Sequence, residues 1–264
     1  MEAEVYTQVK TSIKHTLKID LENYKEEQMK RRLDSWLVRS HFSTWNEYFN
    51  LITKDAMEQE RFRNYLTINV TEFFRDQNRW DHVRTEILPY LINNSAQHPQ
   101  AGGLKLWSAG CSIGAEAYTL AMLMEDFVPS HKYSILATDL DRGALLKAKS
   151  RGPYNQEDIR NLSTKQRQQY VTPSSPYYVN EKLQRNIRFQ EQNLLDDHFE
   201  GDFDLIVCRN VVIYFTTASK DLLYMKFSKA LRPGGVLFVG GTEIISVATK
   251  FGLQNFGISF YKKV

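Results

Sequence analysis

Leu104-Lys-Leu-Trp-Ser-Ala-Gly-Cys-Ser-Ile-Gly-Ala-Glu-Ala-Tyr-Thr-Leu-Ala-Met-Leu-Met-Glu125 decides the fold. A short apolar run ends in the small residues Ser108 and Ala109, a tight turn holds Gly110 and Gly114, and an apolar helix follows. Strand, loop and helix in that order mark the place where a parallel sheet meets a nucleotide-like cofactor. A dinucleotide fold uses G-x-G-x-x-G, because pyrophosphate needs the backbone amides at the helix start. Here the glycines are spaced G-x-x-x-G, and Glu116 stands just inside the helix. A carboxylate there repels a phosphate and suits a cofactor with an ammonium or sulfonium group. S-adenosylmethionine has both and no phosphate, so the stretch points to methyl transfer.

Outward on the C-terminal side, Tyr133-Ser-Ile-Leu-Ala-Thr-Asp139 reads as a second strand. A carboxylate at that strand tip pairs with vicinal ribose hydroxyls. Asp139 lies 25 residues beyond Gly114, close to the usual offset. The plainer reading makes Asp139 and Asp141 caps of the helix Arg142 to Ser150. Asp141 suits that role, and Asp139, with Gly110 and Gly114, is the better ribose ligand.

Gly152-Pro153 breaks the alternation. Residues from about 153 to 192 read as a small antiparallel insertion, with Tyr177-Tyr-Val and Asn186-Ile-Arg-Phe-Gln as its strands. It is either a partner-binding element or a simple spacer. Asn193-Leu194 follows, placed for the adenine, with an amide or backbone group reading the base edge. Asp202-Phe-Asp-Leu-Ile-Val-Cys-Arg-Asn-Val-Val-Ile-Tyr-Phe215 gives the fourth main strand, which ends at Arg209-Asn210. Arg232-Pro-Gly-Gly turns into the strand from Val236, and Gly257 to Lys263 reads as a final edge strand.

On the N-terminal side, residues 1–90 read as helical, and residues 91–264 as the cofactor-binding domain. Val5, Val9, Ile13 and Leu17 recur at helical spacing, and Met29, Leu33, Trp36 and Leu37 mark a second helix from about Tyr24 to Arg39. A third helix follows Ser43 as N-cap, and a fourth runs from about Asp55 to Tyr65. Lys25, Arg32 and Arg39, seven residues apart, line one edge of the second helix. They are either a solvated face or a ridge for an acidic, helical partner. Thr67-Ile-Asn-Val-Thr-Glu-Phe-Phe-Arg-Asp76 is either an aromatic anchor or a polar lip over a pocket, with Asn69, Thr71 and Arg75 as donors. A helix from Trp80 to Leu91 and a polar linker from Asn93 to Gly103 lead into the first strand.

Composition narrows the functions. The chain has 264 residues, a hydrophobic content of 42% and a net charge of +3, too small to argue for nucleic acid. No stretch approaches a membrane span, and the N-terminus is no signal peptide, so a cytoplasmic protein without membrane insertion is expected. Cys111 and Cys208 sit at neighbouring strand tips and read as two packed, reduced thiols. No metal is expected, because no histidine or cysteine pair has ligand spacing. The motif that holds an amine for methylation is absent, and Asn210-Val-Val-Ile-Tyr214 stands there instead. A carboxylate acceptor, with a pKa of about 4.3, needs no general base. Its methylation needs alignment and loss of water, for which Arg75 and Tyr214 are candidates. Tyr214 also reads as packing.

Six stretches together resemble the chemotaxis receptor glutamate O-methyltransferase (CheR) family. They are Asn69-Val-Thr-Glu-Phe-Phe-Arg75, Trp107 to Glu116, Ala137-Thr-Asp139-Leu-Asp, Asn193-Leu-Leu, Cys208 to Phe215 and Phe238-Val-Gly-Gly-Thr-Glu243. They span nearly the whole chain in family order. The resemblance implies an α/β fold: an all-helical N-terminal domain, then a Rossmann-like class I methyltransferase domain with a small antiparallel insertion. It implies S-adenosylmethionine as cofactor and S-adenosylhomocysteine as product. Asn69, Thr71, Arg75, Glu116, Asp139, Asn193, Leu194, Asn210 and Val211 are its implied contacts, with Arg75 and Tyr214 near the transferred methyl. The implied partners are the cytoplasmic helices of methyl-accepting chemotaxis receptors, faced by Lys25, Arg32 and Arg39, and a monomer is expected. Ala115 and Ala117 depart from the Glu and Pro common in the family. Some members grip a receptor tail through an insertion with glycines in its turn, and this insertion has none from Tyr154 to Glu200. A methyltransferase of RNA or a small acid, and a non-catalytic module that binds S-adenosylmethionine or receptors, are the alternatives.

Overall fold

The computed structural model describes residues 1–67, 69–95, 103–128 and 132–264. It divides into two compact units, Met1–Ile68 with Val212–Leu222, and Asn69–Val211 with Leu223–Val264. The division falls at 68/69 rather than near residue 90. The physical reason is the helical segment after residue 76, whose Trp80, Val83, Ile87, Leu88 and Leu91 are buried in the sheet's own core.

The helical unit contains α1 (Ala3–Leu17), α2 (Glu26–Arg39), α3 (Trp45–Ile52) and α4 (Ala56–Leu66). The buried stripe of α1 is Tyr6, Val9, Ile13 and Leu17, whereas Val5 lies at its margin and is 37% exposed. The cap of α3 is Thr44, not Ser43. Glu47 stands three residues after Thr44, so the two close a reciprocal capping box. Asp55 caps α4 by accepting from the Met57 and Glu58 amides. The core is aromatic: Trp36 stacks on Phe62 at 5.3 Å, and Tyr48 meets Phe62 edge-on at 5.2 Å. Each such pair adds about 1 kcal/mol beyond the area it buries. The segment Val212–Leu222 joins this unit through a Tyr24–Phe215 bridge and the Lys25 amide, which donates to the Tyr214 carbonyl at 2.9 Å.

The second unit opens with α5 (Gln77–His82), a π turn (Val83–Ile87) and α6 (Leu88–Ser95). The linker expected from Asn93 to Gly103 lies largely outside the described residues. There follow β1 (Leu104–Ala109), α7 (Ala115–Phe127), β2 (Tyr133–Asp139), α8 (Arg142–Lys149), α9 (Thr164–Tyr170), α10 (Glu181–Gln184), β3 (Ile187–Glu191) and β4 (Phe203–Cys208). The chain ends with α11 (Thr217–Ala230), β5 (Leu231–Val239), β6 (Leu253–Gly257) and β7 (Phe260–Lys263). The strands form one sheet in the order β3-β2-β1-β4-β5-β7-β6. Strands β1 to β5 are parallel, and β7 runs antiparallel to both β5 and β6. Chain order reverses at β1, which pairs with β2 on one side and β4 on the other. The crevice at the carboxyl ends of those strands is where such sheets bind ligands.

Three sequence expectations change here. Asn186 to Gln190 is not part of the insertion: Ile187–Glu191 pairs in parallel with β2 as the sheet's edge. Its burial alternates only weakly, as a solvated edge strand allows. The insertion keeps two single antiparallel bridges, Tyr154↔Tyr177 and Val171↔Val179. The last strand is not an edge either. Phe260 and Tyr261 are buried, so β7 takes the inner position, and β6, with exposed Gln254 and Asn255, takes the outside. Finally, β5 begins already at Leu231, which pairs with Phe203 before a register shift to Leu205↔Val236. Cys111 and Cys208 are both buried and free. Among the described residues, no helix is long and apolar enough to cross a membrane.

Candidate functional site

The site is built on the turn between β1 and α7. Gly110 has φ +86°, and a Cβ there would meet Val211 Cγ2 at 2.5 Å. Gly114 also has φ +86°, and its Cβ would meet the Ala148 Cβ at 2.8 Å. Left-handed backbone and close neighbours together leave room for glycine alone. The Gly110 and Cys111 amides both donate to the Thr138 carbonyl, which ties the turn to the tip of β2.

Asp139 at that tip is half-buried. It accepts from the Ser112 amide at 2.7 Å and the Asp141 amide at 2.9 Å. Each carboxylate oxygen has a second lone pair for a ribose hydroxyl. Burial pushes its pKa up to about 6, against the backbone amide hydrogen bonds that pull it down. Asp141 caps α8 through the Ala144 amide, as its position in the sequence suggested. It also accepts from the Asn69 side chain, whose Oδ1 accepts from the Ser112 hydroxyl at 2.7 Å.

Glu116 lies in the first turn of α7 and is buried. Oε1 accepts from the Ser108 hydroxyl at 2.7 Å, and Oε2 stands 3.9 Å from Arg209 Nη1. Burial raises its pKa to about 7, with the Arg209 charge and the Ser108 hydrogen bond opposing. Arg209 itself is buried, with its guanidinium 5.5 Å from the Trp80 ring and 4.9 Å from the Phe238 ring, and it donates to Asp76. Oε2 of Glu116 accepts no hydrogen bond among the described residues. A ligand ammonium fits there: it supplies a donor and favours the ionised carboxylate.

The segment after Asn69 is both an anchor and a lip. Phe73 is fully buried against Tyr154 at 5.0 Å, and the Tyr154 hydroxyl donates to the Ile113 carbonyl of the glycine turn at 2.7 Å. The Phe74 amide donates to Thr119 on α7. The Phe73 amide donates to the Asp158 carbonyl, and Asn161 donates to the Phe73 carbonyl. The stretch 150–162 therefore braces this segment and the cofactor turn together. Thr71 and Arg75 stay half-buried, and Arg75 donates to the Val70 carbonyl at 2.7 Å. On the opposite strand tip Asn210 has φ +59°. Its amide and that of Gly240 both donate to Glu243 Oε2, at 2.8 and 2.6 Å.

Two expected residues stand differently. The side chain of Asn193 is used within its own turn: it accepts from the Leu195 amide and donates to Asp196. Lys226 Nζ donates to the carbonyls of Leu194, Leu195 and Asp197 at 2.8, 3.0 and 2.8 Å, fixing the turn from outside. Tyr214 lies on the 3-10 turn Val212–Tyr214, which belongs to the helical unit, whereas Arg75 belongs to the sheet unit. In the helical unit Lys25 and Arg39 are exposed. Arg32 is half-buried, donates to the Tyr65 carbonyl and lies 4.3 Å over the Tyr65 ring. The three cations are therefore not equivalent.

Ser108, Ser112, Arg209 and Glu243 were not singled out by the sequence reading. A polar residue next to the end of an apolar strand was the available signal for Ser108 and Arg209. Ser112, through its amide and hydroxyl, and Glu243, by accepting two backbone amides, act on groups brought together by folding, which leave no pattern along the chain. Among the described residues, no group of three or more His, Cys, Asp or Glu side chains could hold a metal.

Residues 4–67 match the family description "CheR methyltransferase, all-alpha domain", and residues 69–258 match "CheR methyltransferase, SAM binding domain". The chain is similar to the chemotaxis protein methyltransferase of Listeria monocytogenes, at 44% identity over 95% of this chain and 94% of the relative. It is 42% identical to that of Listeria innocua over the same shares. The Escherichia coli protein of that name is 31% identical over 86% of this chain and 80% of its own. With the 3-2-1-4-5-7-6 sheet, the glycine turn and the buried Glu116 in hand, these matches establish that the chain belongs to the CheR family of methyltransferases, with S-adenosylmethionine as its cofactor.

Proposed function

We propose that the protein methylates glutamate side chains on the cytoplasmic helices of methyl-accepting chemotaxis receptors, leaving glutamyl methyl esters. The observation that carries this reading is the buried, half-satisfied Glu116 carboxylate beside a glycine turn, in a chain whose relatives are chemotaxis protein methyltransferases. S-adenosylmethionine supplies an electrophilic methyl group when bound. Glu116 takes its ammonium, and Asp139 the ribose hydroxyls. Asn69, Thr71, Gly110, Asn210 and Val211 line the cofactor. Asn193 and Leu194 enclose the adenine, with backbone and apolar groups in place of the Asn193 amide.

The acceptor glutamate is ionised at neutral pH and needs no base. What it needs is a fixed position and loss of its water. Arg75 is the candidate to hold that carboxylate by charge, and Tyr214 is kept as the second candidate for orienting it, as the family resemblance implies. Lys25 and Arg39 offer exposed charge to an acidic receptor helix, and Arg32 supports them from its seat on Tyr65. The setting is the cytoplasm, and the working form is a monomer.

The test supplies labelled S-adenosylmethionine and receptor-containing membranes and looks for base-labile methyl ester. Cofactor binding without any ester would end the enzyme reading and leave a binding module.

A further inference from the structure

Lys25 works in three directions. Its carbonyl accepts from the Met29 amide at 3.1 Å and so opens α2, of which Lys25 is the N-cap. Its side chain is exposed, and its own amide donates to the Tyr214 carbonyl at 2.9 Å. Two residues earlier the pairing is returned, because the Thr216 amide donates to the Asn23 carbonyl at 2.9 Å. Residues 23–25 and 214–216 thus form a short antiparallel ladder, centred on the Tyr24↔Phe215 bridge, with those two rings edge-on at 5.1 Å. Asn23 grips the second segment twice. Besides its carbonyl, its side-chain Oδ1 accepts from the buried Ser219 hydroxyl at 3.0 Å. The Ser219 amide in turn donates to Thr216 Oγ1 at 3.3 Å, so the corner from Tyr214 to Ser219 moves as one piece. Asn23 is itself held in the 3-10 turn Leu21–Asn23, which Asp20 caps by accepting from the Glu22 amide at 3.0 Å. All of these residues belong to the helical unit.

We propose that Asn23 is a positioning residue for methyl transfer: it pins the turn that carries Tyr214 to the foot of α2, so the helix whose cations meet the receptor also sets where Tyr214 stands. The inference rests on the glutamate-methyltransferase reading, with Tyr214 orienting the acceptor. A ladder of backbone bonds fixes the direction of the Tyr214 segment, and the Asn23–Ser219 bond fixes its place along the ladder. In-line displacement depends on placement at the ångström scale. A bond that only places Tyr214 therefore acts on kcat and leaves the binding of receptor and cofactor alone.

The test uses the full-length chain, labelled S-adenosylmethionine and receptor-containing membranes, and reads kcat and KM for receptor separately. Asn23→Ala and Ser219→Ala remove the same bond from its two ends. Each should lower kcat by about three- to tenfold, the worth of one hydrogen bond, with KM and S-adenosylmethionine affinity within about twofold of wild type. The double variant should lose no more than either single one, because the bond is shared. Asn23→Asp keeps an acceptor for the Ser219 hydroxyl and should recover most of kcat. In a Tyr214→Phe background, Asn23→Ala should cost nothing further. A general loss of folded protein would instead lower kcat by the same factor in both backgrounds, and that result overturns the proposal. So does a wild-type kcat in Asn23→Ala or in Tyr214→Phe. No methyl ester from wild type would instead overturn the underlying glutamate reading.

Discussion

The Ser108 hydroxyl donates to the Glu116 carboxylate at 2.7 Å, and among the described residues it makes the one hydrogen bond that this buried carboxylate accepts. The last residue but one of β1 thus orients the first turn of α7. A buried anion with one neutral donor, and a cation held off at 3.9 Å, is left under-satisfied until a ligand donor arrives. Glu116→Gln keeps the shape and removes the charge. It should weaken S-adenosylmethionine binding by about 10- to 100-fold, the range of a charged hydrogen bond, with the fold retained. Calorimetric titration checks this. An affinity within threefold of wild type would take the ammonium away from Glu116.

The pH dependence follows from the same residue. Glu116 titrates near 7 in the folded protein, against an ordinary value of 4.5. The folded state therefore binds more protons between those values. Stability is fully present below 4.5 and is lost as pH rises towards 7, with Asp139, raised to about 6, adding in the same direction. Ligand-free protein should melt lower at pH 7.5 than at pH 5.5 to the extent these groups contribute. The rise in Tm on adding S-adenosylmethionine should grow over the same interval. In Glu116→Gln both trends should flatten, as thermal melts at fixed ionic strength will read.

Gly110→Ala places a methyl group 2.5 Å from Val211 Cγ2 on backbone at φ +86°. The left-handed conformation alone costs about 1–3 kcal/mol, and the clash adds to it. Adding Val211→Ala should recover the steric part and leave the backbone part. Denaturant unfolding of the two single variants and the double variant separates these terms, and strict additivity would contradict the contact.

Lys226 holds three carbonyls of the 194–197 turn. Lys226→Met keeps the stem and drops the donors. Its expected effect is a roughly 5- to 30-fold weaker S-adenosylmethionine affinity, with kcat at saturating cofactor close to wild type. A fall in kcat with unchanged affinity would place the residue elsewhere in the reaction.

Lys25→Gln with Arg39→Gln should raise KM for receptor several-fold without moving S-adenosylmethionine affinity, and added salt should shrink the difference. Arg32→Gln should differ in kind. It breaks the hydrogen bond to the Tyr65 carbonyl, which Arg39, 5.7 Å over the same ring, does not make, so a drop in Tm of a few degrees should accompany the change in KM. Equal melting temperatures for the two variants would restore a uniform ridge.

Most of the sheet was legible along the chain. Parallel strands buried on both faces are continuous apolar runs, as in Phe203 to Cys208, and turns between them carry glycine where φ is positive. Capping is local too, which is why Asp141 was readable and Thr44 was missed by one residue. Of the two edge strands, Ile187–Glu191 was given to the insertion and Leu253–Gly257 was not read as a strand, because both are half solvated and their burial leaves little pattern.

By itself the sequence determined the order of strands and helices around Leu104–Glu125, the glycine turn, and the acidic residues at 116 and 139 that we propose hold the cofactor's ammonium and ribose. These depend on local periodicity and residue type. Only the tertiary structure decided that Arg209 and Ser108 converge on Glu116, that Ser112 links Asn69 to Asp139, and that Asp76 pairs with Arg209 and Glu72 with Arg160. Charge and hydrogen-bond balance are sums over neighbours far apart in the chain, and folding alone assembles those neighbours.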